Sequence, residues 1–135
     1  MELVSKAIGT ILKADSTITD LIPAERMFFG QVPQGTNDNT YLRFTVKGTP
    51  RPTKVGAVKI DVYEVIVQIF TVDPWKGARA ARFIRSALDR YGSGTVSGIA
   101  LNDIIFTSGG MIPDLEDDLD HVLFGLAFDA RVERS

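Results

Sequence analysis

The sequence predicts an α+β fold: an antiparallel sheet of about four to five strands, two helices packed on one face, and a long hairpin arm. Three observations lead there. Two segments carry apolar residues at helical spacing, one at the N-terminus and one after Asp73-Pro74. The segments around and between them alternate apolar and polar with period two, as half-buried strands do. Finally, the chain has 135 residues, 44% of them hydrophobic and 24% charged, the make-up of an ordinary globular chain. No internal repeat or linker divides it, so residues 1–135 are expected to form a single domain.

The first helix is read from Leu3, Val4, Ala7, Ile8, Ile11 and Leu12, which recur every three or four residues opposite Glu2, Lys6 and Lys13. Asp15 and Ser16 end it, and Ser16 can cap a short second turn leading to Leu21, Ile22 and the breaker Pro23. Arg26–Phe29 reads as a short extended piece, and Gly30–Thr40 as a loop rich in Gly, Asn, Pro and Gln. In Tyr41–Lys47, Leu42, Phe44 and Val46 point one way, and Tyr41, Arg43, Thr45 and Lys47 the other. Gly48–Ala57, with two prolines and two basic residues, is expected to be an exposed, mobile hairpin arm.

Val58–Val72 is the longest strand candidate. Tyr63, Val65, Val67 and Ile69 form one face; Ile60, Val62, Glu64, Ile66, Gln68, Phe70 and Val72 form the other. Two apolar faces imply a strand buried between layers or covered by a partner. Asp73 as N-cap and Pro74 at the first helical position start the second helix, which is expected to reach Tyr91 and stop at Gly92-Ser93-Gly94. Its core arc is Ala80, Ala81, Ile84, Ala87, Leu88 and Tyr91. Lys76, Arg79, Arg82, Arg85 and Arg90 lie opposite, with Trp75 and Phe83 among them, off the core arc. Ile99–Thr107 makes a strand ending in a turn at Ser108-Gly109-Gly110. After the acidic loop Asp114–Asp120, the stretch His121–Val132 alternates: Val122, Phe124, Leu126, Phe128, Ala130 and Val132 inward, His121, Leu123, Asp129 and Arg131 outward.

Several function classes are excluded or disfavoured. With no Cys there is neither a disulfide framework nor thiol catalysis nor a Cys-based metal site. A net charge of −2 argues against holding nucleic acid by overall charge. No apolar stretch approaches the ~18–20 residues of a membrane helix, and the opening MELVSKAIGTILKADS is not a signal peptide. The expectation is a soluble chain made in the cytoplasm.

No catalytic, cofactor-binding or metal-binding residues emerge. His121 is the one histidine, no G-x-S-x-G elbow accompanies it, and a surface or interface histidine is the better reading. The carboxylates Asp114, Glu116, Asp117, Asp118 and Asp120 lack the glycine and glutamate positions of an EF-hand. They read as a solvated face, or as a negative collar if the chain oligomerises. The glycines at 92, 94, 98, 109 and 110 match no phosphate-binding pattern and read as turn glycines. The basic helix face could meet phosphates, but a solvated face, or one docked on protein through Trp75 and Phe83, fits better. What stands out is apolar surface beyond the needs of one small domain: Phe28, Phe29, the second face of Val58–Val72, Trp75 and Phe83. That is the profile of a self-assembling structural subunit and not of an enzyme.

The order of these features carries a resemblance. A short amphipathic helix precedes Tyr41-Leu42-Arg43-Phe44 and a basic, proline-containing arm. Tyr63-Glu64-Val65-Ile66-Val67-Gln68-Ile69-Phe70 follows, then an Ala/Arg-rich helix ending Ala87-Leu88. An acidic loop closes into Asp120-His121-Val122-Leu123-Phe124-Gly125-Leu126. Over nearly its whole length the chain resembles the tail completion (tail terminator, or tail-to-head joining) proteins of long-tailed bacteriophages. The resemblance implies a virion structural subunit that assembles as a hexameric ring. Such a ring caps the tail tube protein, meets the head-tail connector protein, and lets genomic DNA through its lumen without specific contact. It places Glu64, Ile66, Gln68 and Phe70 in subunit contacts and the Asp114–Asp120 carboxylates on the lumen or a ring face. Phe28, Phe29, Trp75 and Phe83 complete the expected interface set. The alternatives are another connector or tail-tube subunit, a small dimeric α+β enzyme or ligand-binding module using Tyr63, His121 and carboxylates, and a nucleic-acid module using the 76–90 helix.

Overall fold

Apolar spacing decides where the helices lie. In the computed structural model, α1 (Glu2–Ala14) buries Val4, Ala7, Ile8, Ile11 and Leu12, the stripe that its period marks out. The structure describes residues 2–33, 39–47, 51–55, 58–89, 91, 94–96, 98–112 and 121–133. The acidic stretch Asp114–Asp120, and parts of Gly30–Thr40, of the Gly48–Ala57 arm and of the Gly92–Gly98 segment, therefore lie outside the described residues. A four-residue helix, α2 (Ser16–Thr19), follows α1. Its cap is Asp15 and not Ser16: the Asp15 carboxylate accepts the Thr17 N–H at 2.9 Å.

α3 (Pro74–Leu88) begins as its sequence demands. The Asp73 carboxylate accepts the Trp75 and Lys76 N–H groups at 3.1 and 3.3 Å, and Pro74 holds the first helical position. It ends three residues before the expected Tyr91, because Asp89 turns extended and its carboxylate accepts the Phe106 N–H at 2.8 Å. A tertiary bond overrides the glycine stop. Gly77, Ala80, Ile84 and Leu88 are buried, and Phe83 packs half-buried at the edge of the core instead of standing off it.

Among the described residues, seven strands form one sheet: β1 (Met27–Phe29), β2 (Thr40–Val46), β3 (Arg51–Val55), β4 (Val58–Thr71), β5 (Gly94–Val96), β6 (Ile99–Ile112) and β7 (Val122–Glu133). The order is β1-β2-β4-β7-β6-β5, with β3 pairing β4 beyond the end of β2. The α+β class, the helices on one face and the β3–β4 hairpin arm are as the sequence implies. The strand count is higher because two three-residue pieces and the arm also pair. All pairs are antiparallel except β1 with β2, which is parallel.

One side of the sheet faces the helices. Leu42, Phe44 and Val46 of β2, Val65, Val67 and Ile69 of β4, and Phe124, Leu126, Phe128, Ala130 and Val132 of β7 meet α1 and α3 there in one core cluster. Phe128 is fully buried and meets Phe106 edge-on, with ring centroids 5.5 Å apart. Where β2, β4 and α3 converge, the buried hydroxyls of Thr40 and Thr71 bond each other at 3.0 Å. Thr71 also accepts the Asp73 N–H at 3.1 Å, which ties the sheet to the cap of α3.

β6 departs most from expectation. Ser108-Gly109-Gly110 is not a turn; these residues continue the strand opposite Ala127, Leu126 and Gly125 of β7. Two bulges, between Leu101 and Asp103 and between Phe106 and Ser108, each slip β6 by one residue against β7. The second is fastened by the Thr107 hydroxyl, which donates to the Ala127 carbonyl at 3.0 Å. Gly109 is needed for close approach: a Cβ there would lie 2.7 Å from Leu126 Cδ2. Of the expected turn glycines, Gly98 is one, turning β5 into β6 at φ +82°.

Candidate functional site

Among the described residues, no three or more histidine or acidic side chains gather into a possible metal site, and no helix is long and apolar enough to cross a membrane. The chemistry on offer lies instead on uncovered surface.

The sheet face away from the helices is the first such surface. Glu64, Ile66, Gln68 and Phe70 of β4 all point there, half-buried, as their alternation predicts. Beside them stand Tyr41 and Arg43 of β2 and Phe28 of β1. Their aromatic rings are organised. Tyr41 stacks on Phe70 at 4.9 Å and 13°, and meets Phe28 and His121 edge-on at 6.3 and 5.5 Å. The Arg43 guanidinium lies 5.9 Å from the Phe70 ring centre and donates through Nε to Gln68 Oε1 at 2.9 Å.

His121 has the outward parity read from the sequence, but it is 3% exposed and is not a surface residue. The Tyr41 ring is among its covers, which distance along the chain concealed. Beyond Gln68 the same face opens into a groove of about 370 Å³, floored by Gly110, Gly125, Ala127 and Ser108 and walled by Ile66 and Leu123. Further along it, Arg131 donates through Nε and Nη2 to the two oxygens of the Asp103 carboxylate, which holds the guanidinium pKa above its ordinary value.

The second surface is the β1 border of the sheet. Phe29 packs against Phe44 at 5.6 Å yet remains 51% exposed. It walls a groove of about 600 Å³ shared with Ser5, Lys6, Gly9 and Lys13 of α1. The helix comes close here because it presents Gly9 to the Phe44 ring; a Cβ would sit 3.1 Å from that ring.

Trp75 marks a third place. It is 82% exposed at the start of α3, near exposed Val72. Phe83 does not join it: its ring is half-buried and carries the Arg82 guanidinium 5.1 Å above. Arg85 likewise lies over Phe106 at 4.0 Å, so the helix cations Arg82 and Arg85 cover rings. The structure thus gathers Phe28, Glu64, Ile66, Gln68 and Phe70 on one face and leaves Phe29, Trp75 and Phe83 at separate borders. Met111, 50% exposed on β6, joins the exposed apolar residues unannounced, because the sequence places it beyond an apparent turn.

No protein-family model and no curated protein matches the sequence. Solved structures do match the fold. A chain from the virion of a native gene transfer agent particle superposes with a TM-score of 0.75 at 20% identity, over 98% of this chain and 96% of its own. A second solved chain superposes with a TM-score of 0.53 at 18% identity, over 99% of this chain and 93% of its own.

Proposed function

We propose that this chain is a structural subunit of a phage-like virion. In this reading it closes into a hexameric ring that ends the tail tube and joins the tail to the head connector, with DNA passing through the lumen. The observation that carries the reading is the near end-to-end likeness of its fold to a chain of the gene transfer agent virion. The order of sequence features that resembles tail completion proteins supports the same assignment independently of the superposition.

The mechanism is geometric. A ring needs a heterologous contact, one patch meeting a different patch on the next copy, repeated until it closes. The two borders of this sheet differ in shape and composition, as such a contact requires. The face bearing Phe28, Ile66 and Phe70, flanked by Glu64, Gln68 and Arg43, offers apolar adhesion inside a polar frame. Trp75 at the start of α3 offers a second anchor, toward the tube or the connector. The Asp114–Asp120 carboxylates suit a lumen that repels DNA phosphates and does not grip them.

Light scattering behind a sizing column, with the peak viewed by negative-stain microscopy and repeated with isolated tail tubes, tests the reading. A closed ring near six subunits, or a single ring added to a tube end, is the expected result. Open stacks of rings would reassign the chain to the tube itself. A tight dimer that ignores tail tubes would refute the virion-ring role.

A further inference from the structure

Among the described residues the sheet has two borders with no strand beside them, and the two are complementary. On one side β1 is the last strand. On the other, β5 covers β6 only at Ile99–Leu101, so from Asp103 onward the outer side of β6 has no strand beside it among the described residues. Asp89 takes the edge amide of Phe106. Past that point Thr107, Ser108, Gly109, Gly110 and Met111 are all exposed, a run of open strand that soluble proteins ordinarily blunt or cover.

Side-chain parity makes the match specific. Phe29 pairs with inward-facing Phe44, and Met111 pairs with inward-facing Phe124, so both lie on the helix side of the sheet. They are half-exposed apolar side chains, 51% and 50%, at opposite borders. Gly109, on the same side as Met111, is itself exposed, with Leu126 and Phe106 packed close against it. Direction also agrees: β1 runs with β2 and β6 runs against it, so copies placed edge to edge along one sheet meet antiparallel.

We infer that the open edge of β6, Thr107–Met111, is the seat for strand β1 of a second copy of this chain, with Phe29 of one copy against Gly109 and Met111 of the next. The contact joins two different borders and propagates in one direction. That it closes, instead of running on as a filament, rests on the ring reading above.

The chain contains no cysteine, so a disulfide can report the contact. The doubly substituted chain Phe29→Cys/Met111→Cys is oxidised under assembly conditions and run on a non-reducing gel. Within one chain the two positions are separated by the steps β1-β2-β4-β7-β6. At ~4.8 Å per step that is about 19 Å, too far for an internal bridge. The expected result is a ladder of linked copies up to the size of the assembly, while each single substitution stops at dimers. Assemblies seen by scattering without a ladder would overturn the edge contact and leave the ring reading standing. As a second measure, Met111→Glu, at an exposed position, should leave the circular dichroism spectrum native and raise the concentration needed for assembly about tenfold or more. Unchanged assembly of that variant would also overturn the contact. A wild-type chain that stays monomeric, alone and with tail tubes, would overturn the seat and the ring together.

Discussion

Gly77 is the position where a conservative change should do the most unexpected harm. In the interior of an exposed helix, Gly→Ala stabilises by about 0.5–1 kcal/mol, since alanine gives up less backbone freedom on folding. Here the added Cβ would lie 2.4 and 2.7 Å from Phe124 Cε1 and Cδ1, and 2.7 Å from Thr71 Cγ2. Neither neighbour can give way easily. Phe124 is 8% exposed and its ring is rigid; Thr71 is fully buried and its hydroxyl is engaged with Thr40 and the Asp73 N–H. Overpacking of this kind costs about 1–3 kcal/mol. Set against the propensity gain, Gly77→Ala should destabilise by about 1–2 kcal/mol. For a chain of this length that lowers Tm by roughly 3–8 °C. Urea unfolding with a fixed m-value measures it, and Phe124→Leu in the same chain should recover part of the loss. A Gly77→Ala chain as stable as the wild type or more so would refute the claim that α3 reaches the sheet through this glycine.

Three further outcomes follow from individual contacts. Trp75→Ala should change unfolding free energy by less than about 0.5 kcal/mol, since the side chain is 82% exposed, and, on the proposed ring reading, weaken assembly; a large Tm drop would place Trp75 in the core. Phe83→Ala should itself cost about 1–2 kcal/mol through lost packing, so a Trp75/Phe83 double substitution confounds stability with assembly; equal Tm values for the two single variants would contradict this. Thr71→Val should cost about 1–3 kcal/mol in chemical denaturation, because it strands the Thr40 hydroxyl and the Asp73 N–H without their partner; a neutral result would mean the buried hydroxyl pair contributes nothing.

Much of this fold was legible where one face of an element is buried and the other is not. α1, β2 and β7 show their periods cleanly because each packs a single face on the core. The start of α3 was legible because Asp73 and Pro74 act locally; its end was not, because the bond from Phe106 to Asp89 spans distant chain. Tertiary contacts likewise hid the burial of His121 under Tyr41 and the partial burial of Phe83. The candidate surface was half legible. Glu64, Ile66, Gln68 and Phe70 share a face by alternation alone, whereas the rings that complete it, Tyr41 and Phe28, come from strands whose register no local pattern fixes. β6 was opaque because two bulges break its alternation. Its helix-side residues are Leu101, then Ile104 and Phe106, then Gly109 and Met111, and no single period connects them.

Those bulges also bear on how the surface could change over generations. Each is one surplus residue, and the second sits at Thr107, at an exposed margin where backbone can be gained or lost without disturbing the buried centre. Deleting Thr107 would restore plain alternation, with Phe106, Gly109 and Met111 on the helix side at every second residue and each still opposite its present partner on β7. A single codon thus changes the bend and twist of the border without changing which side chains face the core. Lineages carrying this fold could adjust the fit of that border by insertion or deletion there, leaving the amino acids of the core untouched.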